Sequence, residues 1–268
     1  MPSSVAEDAG DTEARRGAHF VQSLERGLAV IRAFHAEAST LTLSDVARST
    51  GLTRAAARRF LLTLADLGYV RTDGKYFSLT PRVLELGYAM LSGMSLPEVA
   101  QPHLERLSGA VGESSSVSVL DGDAIVYVAR FAVSRIMTVS ITVGTRFPAY
   151  ATSMGHVLLA GLDEPSLDAY LTDVGLAPLT SHTITTPERL RAEVAAVREQ
   201  GWAIVDQELE EGLRSVAAPV RDRSGAVVAA VNISTHASRS TVDSLREDMV
   251  PPLLAACDGI EKDLAAAQ

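Results

Sequence analysis

An α+β architecture is predicted for this 268-residue chain: an N-terminal winged helix-turn-helix, a linker helix, and a larger mixed domain. Three observations predict it. Residues 42–60 read as two short helices around a glycine turn, an Asp-Gly hairpin follows at 73–74, and from residue 114 onward alternating runs pair through tight turns with helices fore and aft.

The helix pair has specific local signals. Thr42 caps the first helix, with Asp45 three residues later completing a shortened capping box. Ala47 is small where the helices cross, and Gly51 stands where the turn needs positive φ. Val46, Leu52 and Phe60 supply the apolar contacts, and Thr53 is the N-cap of the second helix. Upstream, Leu24, Leu28, Ile31 and Phe34 recur at helical spacing and predict a third helix closing the core. Three helices followed by a hairpin make a winged helix, whose second helix of the pair is built for the DNA major groove. Thr53, Arg54, Ala55 and Arg58 are the candidates nearest the bases. Arg59, Arg71 and Lys75 are candidates for the phosphate backbone.

The net charge of −9 looks unfavourable for a nucleic-acid partner, but it is unevenly spread. Residues 15–92 hold 11 Arg and Lys against 6 Asp and Glu, whereas residues 93–268 hold 13 against 23. Positive charge is thus concentrated where double-stranded DNA is expected. Cys257 is the only cysteine, which excludes an internal disulfide, and its apolar neighbours predict an inert thiol. The six histidines show no ligand spacing, so no metal is expected; separately, no cofactor and no catalytic residue are expected. No apolar run approaches the ~20 residues of a membrane span, and the acidic N-terminus is unlike a signal peptide, so a cytoplasmic location is expected.

The predicted organisation is a disordered tail at 1–17, a DNA-binding domain at 18–80, a linker and dimerisation helix at 81–95, and an effector domain at 96–268. Thr80-Pro81 opens the linker helix, which is apolar around much of its surface and therefore wants a partner, most simply a second copy. Behind it, helices are expected at 96–111, 153–162, 164–172 and 186–201, and strands at 114–120, 124–131, 136–143, 202–206, 215–221 and 226–234. A terminal helix at 241–267 is expected to kink at Pro251-Pro252.

Several segments in this order resemble the IclR-type bacterial transcription regulators. They are Val21-Gln-Ser-Leu-Glu-Arg-Gly-Leu-Ala-Val, the helix-turn-helix with Leu-Gly-Tyr-Val, Leu-Thr-Pro-Arg-Val-Leu-Glu-Leu-Gly, Ala151-Thr-Ser-Met-Gly-His-Val-Leu-Leu-Ala, Asp206-Gln-Glu-Leu-Glu and Ser215-Val-Ala-Ala-Pro-Val. Phe147-Pro-Ala-Tyr-Ala-Thr-Ser-Met-Gly is similar to the subgroup that regulates protocatechuate and β-ketoadipate catabolism. The resemblance covers about residue 18 to the end. It implies a GAF-like effector domain, a homodimer or dimer of dimers on a palindromic operator, and a small organic acid, aromatic or dicarboxylic, as the signal.

The helix start at Tyr150-Ala-Thr152-Ser153 offers free N–H groups and hydroxyls to a carboxylate. The family's pocket implies Asp206, Leu213, Ser215, Asn232 and Ser234 as further contacts, with Met154, Leu213 and Val231 as apolar walls. Arg135, His156 and Arg214 are candidate counter-cations; His156 stands where relatives commonly have Arg. A second reading treats these hydroxyls as plain caps and the domain as a dimerisation module of an architectural DNA-binding protein. A third makes Ser153 and His156 an acyl-hydrolase pair, although no Gly-x-Ser-x-Gly elbow is present.

Overall fold

The computed structural model describes residues 19–35, 38–86, 96–133 and 141–267. The chain divides into two compact units, 1–92 and 93–268.

The first unit contains α1 (Gln22–Arg32), β1 (Thr40–Thr42), α2 (Leu43–Thr50), α3 (Arg54–Asp66), β2 (Val70–Thr72) and β3 (Tyr76–Leu79). Thr42 and Asp45 form a reciprocal capping box: the Asp45 N–H donates to the Thr42 hydroxyl, and the Asp45 carboxylate accepts from the Thr42 N–H at 3.1 Å. Gly51 closes α2 at φ 66°, a conformation that penalises any Cβ. Val30, Val46, Ala57 and Leu61 are fully buried between the helices.

Two details differ from the sequence pattern. Leu24 and Leu28 are 62% and 45% exposed, whereas Phe34 is buried and Ile31 packs against the core as expected, with Val30 buried beside them. Only the C-terminal end of α1 is covered, so helical spacing marked an apolar stripe without saying how far it is buried. The wing is three-stranded, in the order β1-β3-β2, with Thr40–Thr42 paired to Tyr76–Ser78. A three-residue strand is too short to show alternation.

The linker begins as a 3₁₀ turn, Pro81–Leu84, whose cap Thr80 accepts from the Arg82 N–H. The rest of the expected linker helix, 87–95, lies outside the described residues, as does 136–140 of the strand expected at 136–143, whose last three residues are not strand.

The second unit is a six-stranded antiparallel sheet in the order β6-β5-β4-β9-β8-β7. Its strands are β4 (Ser114–Asp121), β5 (Ala124–Phe131), β6 (Arg146–Pro148), β7 (Ala203–Asp206), β8 (Leu213–Arg221) and β9 (Val227–His236). On one face lie α4 (Leu96–Val111) and the C-terminal helices, packed on Val117, Val216, Ala218, Val231 and Ile233. On the other lie α5 (Ser153–Ala160), α6 (Glu164–Asp173) and α7 (Pro187–Gln200), packed on Ile125, Tyr127, Ala217 and Ala230. The period of two that assigns these faces also fixes the site below.

At the C-terminal end α8 (Val242–Ser244) passes into a π turn, Leu245–Met249, before α9 (Val250–Ala267). Pro251 and Pro252 supply no N–H to the preceding turn, and the wider turn falls where those bonds drop out. Cys257 is buried between α9 and the sheet, with Ala218 O 3.8 Å from its sulfur.

Candidate effector site and DNA-binding surface

The Thr53 hydroxyl accepts from the Ala56 N–H at 3.2 Å and so starts α3 at Arg54. Ala57, Leu61 and Leu64 turn inward, which leaves Thr53, Arg54, Ala55, Arg58 and Arg59 exposed along the outer stripe. The nearby acid Asp45 is taken by Arg48 at 2.6 Å, so it does not neutralise that stripe. In the wing, the Asp73 carboxylate accepts from the Lys75 and Tyr76 N–H groups and holds the turn. Arg71 donates to the Ser78 hydroxyl at 2.9 Å, and the Lys75 ammonium lies 4.9 Å from the Tyr76 ring centroid; both side chains are exposed. All seven expected DNA-facing residues are therefore at the surface of their unit.

In the second unit, a 3₁₀ turn (Ala149–Ala151) delivers the chain to α5. Thr152 caps that helix, accepting from the Gly155 N–H at 3.1 Å. Gly155 is required here by close approach: an added Cβ would collide with the Ala149 carbonyl. Thr152, Ser153, Met154, Leu213, Ser215, Asn232 and Ser234 line one cavity. Ser153 and Ser215 share a hydroxyl–hydroxyl bond of 2.8 Å, Asn232 donates to Ser234 at 2.9 Å, and Ser118 donates to the Met154 sulfur at 3.1 Å. The Asn232 side-chain oxygen, although buried, has no partner among the described residues. The space open to the centre of a water-sized sphere is about 10 Å³, roughly one water. Anything larger must push the walls apart.

Tyr127, Ala151, Val205 and Leu209 complete the lining and were not expected from sequence. Val205 was legible in principle, because it stands directly opposite Ser215 and must share its face. Tyr127 depends on the strand order, which no local pattern reveals.

Four expectations about this site change. Asp206 is one residue out of phase with Val205, so it points to the opposite side of the sheet. There it accepts two bonds of 2.8 Å from Arg214, its cross-strand neighbour. Arg214 is accordingly committed to Asp206, and also donates to the Ala237 and Ser240 carbonyls. Val231 belongs to the core under the terminal helices rather than to the cavity wall. His156 is fully buried, its Nε2 donates to the Tyr150 carbonyl at 2.7 Å, and burial pushes its pKa down, so it is neutral. Arg135 lies outside the described residues.

Ser153 bonds to Ser215 and His156 to Tyr150, so the two are not joined as nucleophile and base. Among the described residues there is no cluster of three or more His, Cys, Asp or Glu fit to hold a metal, and no helix long and apolar enough to cross a membrane. Beside the cavity, the β7–β8 loop carries Leu209 into the lining. It carries Glu208 toward a groove on the other side that also includes His182, Arg189 and Glu193. Burial pushes Glu208 up to about 7.

An exposed arginine stripe on a capped helix, a wing, and a separate cavity-bearing sheet define a ligand-responsive DNA-binding regulator. Comparison with known proteins agrees. Residues 23–74 match the IclR helix-turn-helix domain, and residues 88–262 match the bacterial transcriptional regulator IclR C-terminal domain. The chain is 49% identical over 238 residues to the Pca regulon regulatory protein of Pseudomonas putida, covering 88% of this chain and 82% of that one. It is also similar to the crystal structure of a candidate transcriptional regulator from Rhodococcus sp. RHA1, with 62% identity, a TM-score of 0.81, and coverage of 93% and 100%. An IclR homologue from Microbacterium hydrocarbonoxydans, solved with 4-hydroxybenzoate, matches at 27% identity and a TM-score of 0.80, covering 92% of this chain and all of that one. The chain belongs to the IclR family of transcriptional regulators.

Proposed function

We propose that this regulator controls an aromatic-acid catabolic operon from the cytoplasm, and that the cavity beneath α5 binds a small hydroxyaromatic acid. The observation that carries the effector reading is the buried, unpartnered oxygen of Asn232 in a wall of hydroxyls. Such an acceptor costs about 1–3 kcal/mol while unpaired, and a ligand hydroxyl relieves that cost on binding. The relatives support the chemical class. Residues 18–80 serve as the DNA-binding domain, 81–95 as the linker and 96–268 as the effector domain. Two recognition helices on a palindromic operator need a homodimer or a dimer of dimers. The effector acts by favouring one arrangement of the paired DNA-binding domains over another.

Thermal denaturation with a panel of aromatic and dicarboxylic acids tests the effector reading, because a specific ligand raises the melting temperature by mass action. A hydroxybenzoate is expected to stabilise the wild type. Asn232→Leu is expected to melt no lower than wild type without ligand and to lose most of the ligand-induced rise. If no acid in the panel shifts the transition, the cavity is not an aromatic-acid site.

A further inference from the structure

Two of the three expected counter-cations do not serve the cavity: His156 is neutral and Arg214 is spent on Asp206, while Arg135 lies outside the described residues. A different arginine lies on the cavity face of the sheet. In the strand register, Arg130 on β5 is directly opposite Ser116 on β4, and Ser116 is directly opposite Asn232 on β9. Directly opposed residues of antiparallel strands share a face, so Arg130, Ser116 and Asn232 form one row across three strands. The row spans two strand spacings, about 10 Å. Of the three, Asn232 alone lines the cavity, at one end of this row, and Ser116 and Arg130 stand beyond its present wall. At the other end, Arg130 donates through Nη1 to the Ser116 hydroxyl at 3.1 Å.

Arg130 is half-buried, yet it makes no ion pair among the described residues. Arg214, the partly buried arginine of β8, behaves otherwise: it pairs with Asp206. The neighbouring segment 134–140, Ser-Arg-Ile-Met-Thr-Val-Ser, contains no acid either. Burial lowers the Arg130 pKa, but an arginine starts far enough above neutrality to keep its charge. A desolvated cation with only a neutral hydroxyl for company is costly, and the usual remedy is an anion brought to it.

We propose that Arg130 is the carboxylate-binding residue of the effector site, setting the ligand with its acid group toward β5 and its hydroxyl toward the Asn232 oxygen. This rests on the aromatic-acid reading above and adds to it the ligand's orientation and its requirement for negative charge. Ser116 holds the guanidinium in place.

The test is calorimetric titration of the full-length protein with 4-hydroxybenzoate and with 4-hydroxybenzamide, its uncharged counterpart. Wild type is expected to prefer the acid by tenfold or more. Arg130→Gln is expected to lose that preference by weakening acid binding tenfold or more while leaving the amide within about threefold. Arg130→Lys is expected to recover part of it, because it keeps the charge without the guanidinium fork. A merely structural arginine would weaken acid and amide alike in Arg130→Gln, which overturns the proposal. So does an acid preference that survives in Arg130→Gln. Should wild type bind neither acid nor amide, the aromatic-acid reading falls and the proposal with it. Should wild type bind both equally, only the proposal falls.

Discussion

Asp206 and Arg214 stand directly opposite each other on β7 and β8 and close a two-pronged ion pair, on the side of the sheet away from Ser215 and the cavity. Hydrogen bonds from the Arg214 guanidinium, aided by its charge, hold the Asp206 carboxyl below the usual carboxylate range. The pair's contribution is therefore present above about pH 4 and is lost as pH falls through the depressed value. Asp206→Asn is expected to lower the melting temperature at pH 7 and to remove this part of the acid-induced loss. The cost should fall below the ~3–5 kcal/mol of a fully buried pair, since Asp206 is partly exposed. Effector affinity should change less than about threefold, because the side chain does not face the cavity. A tenfold loss in titration would mean that Asp206 touches the ligand after all.

Glu208 has the opposite sign. Burial raises its carboxyl to about 7, and Glu193 and Asp206 add to the rise, while the Ile184 N–H and Arg189 oppose it. Because the folded chain favours the protonated form, the contribution is complete below about pH 4.5 and is lost as pH rises through 7. Urea midpoints of the wild type should fall between pH 5 and 8 more than those of Glu208→Gln. Equal falls in the two proteins would show that the carboxyl titrates normally.

Gly155→Ala should be among the most damaging single methyl additions in the effector domain. The new carbon meets the Ala149 backbone, which has no flexible end to move aside. A loss at or above ~3 kcal/mol is expected from urea unfolding, the upper part of the range for overpacking.

The arginines of α3 should separate by their salt dependence. Arg58→Ala is expected to cost ~1–3 kcal/mol on the operator and to relax base preference, as loss of a guanine contact does. Arg59→Ala is expected to weaken all sequences alike and to reduce the slope of log affinity against log salt by ~1. Anisotropy titrations at several salt concentrations distinguish them. Two variants with the same slope and the same loss on every sequence would assign both arginines to phosphates.

The helix-turn-helix was legible because its signals are local: Thr42 and Asp45 cap within one turn, Gly51 needs its own φ, and Thr53 bonds three residues ahead. Hairpins at Gly74 and Gly122 were legible for the same reason. What escaped depends on neighbours distant in sequence. Thr40–Thr42 becomes a strand only because β3 lies beside it. Arg130 joins the row with Asn232 only through a strand order in which β9 pairs with β4. The family pattern brought Asp206 into the pocket, whereas counting back by twos from Ser215 across to Val205 excludes it. Leu24 and Leu28 show the limit of helical spacing, which finds an apolar stripe but not what covers it.

Cys257 gives the protein a built-in reporter. Its sulfur is sealed between α9 and β8, and burial pushes the thiol up. With no second cysteine in the chain to compete, a thiol-reactive dye acquires signal only when the last helix lifts from the sheet. The labelling rate thus clocks that opening directly, and any effector that tightens the domain will lengthen the wait.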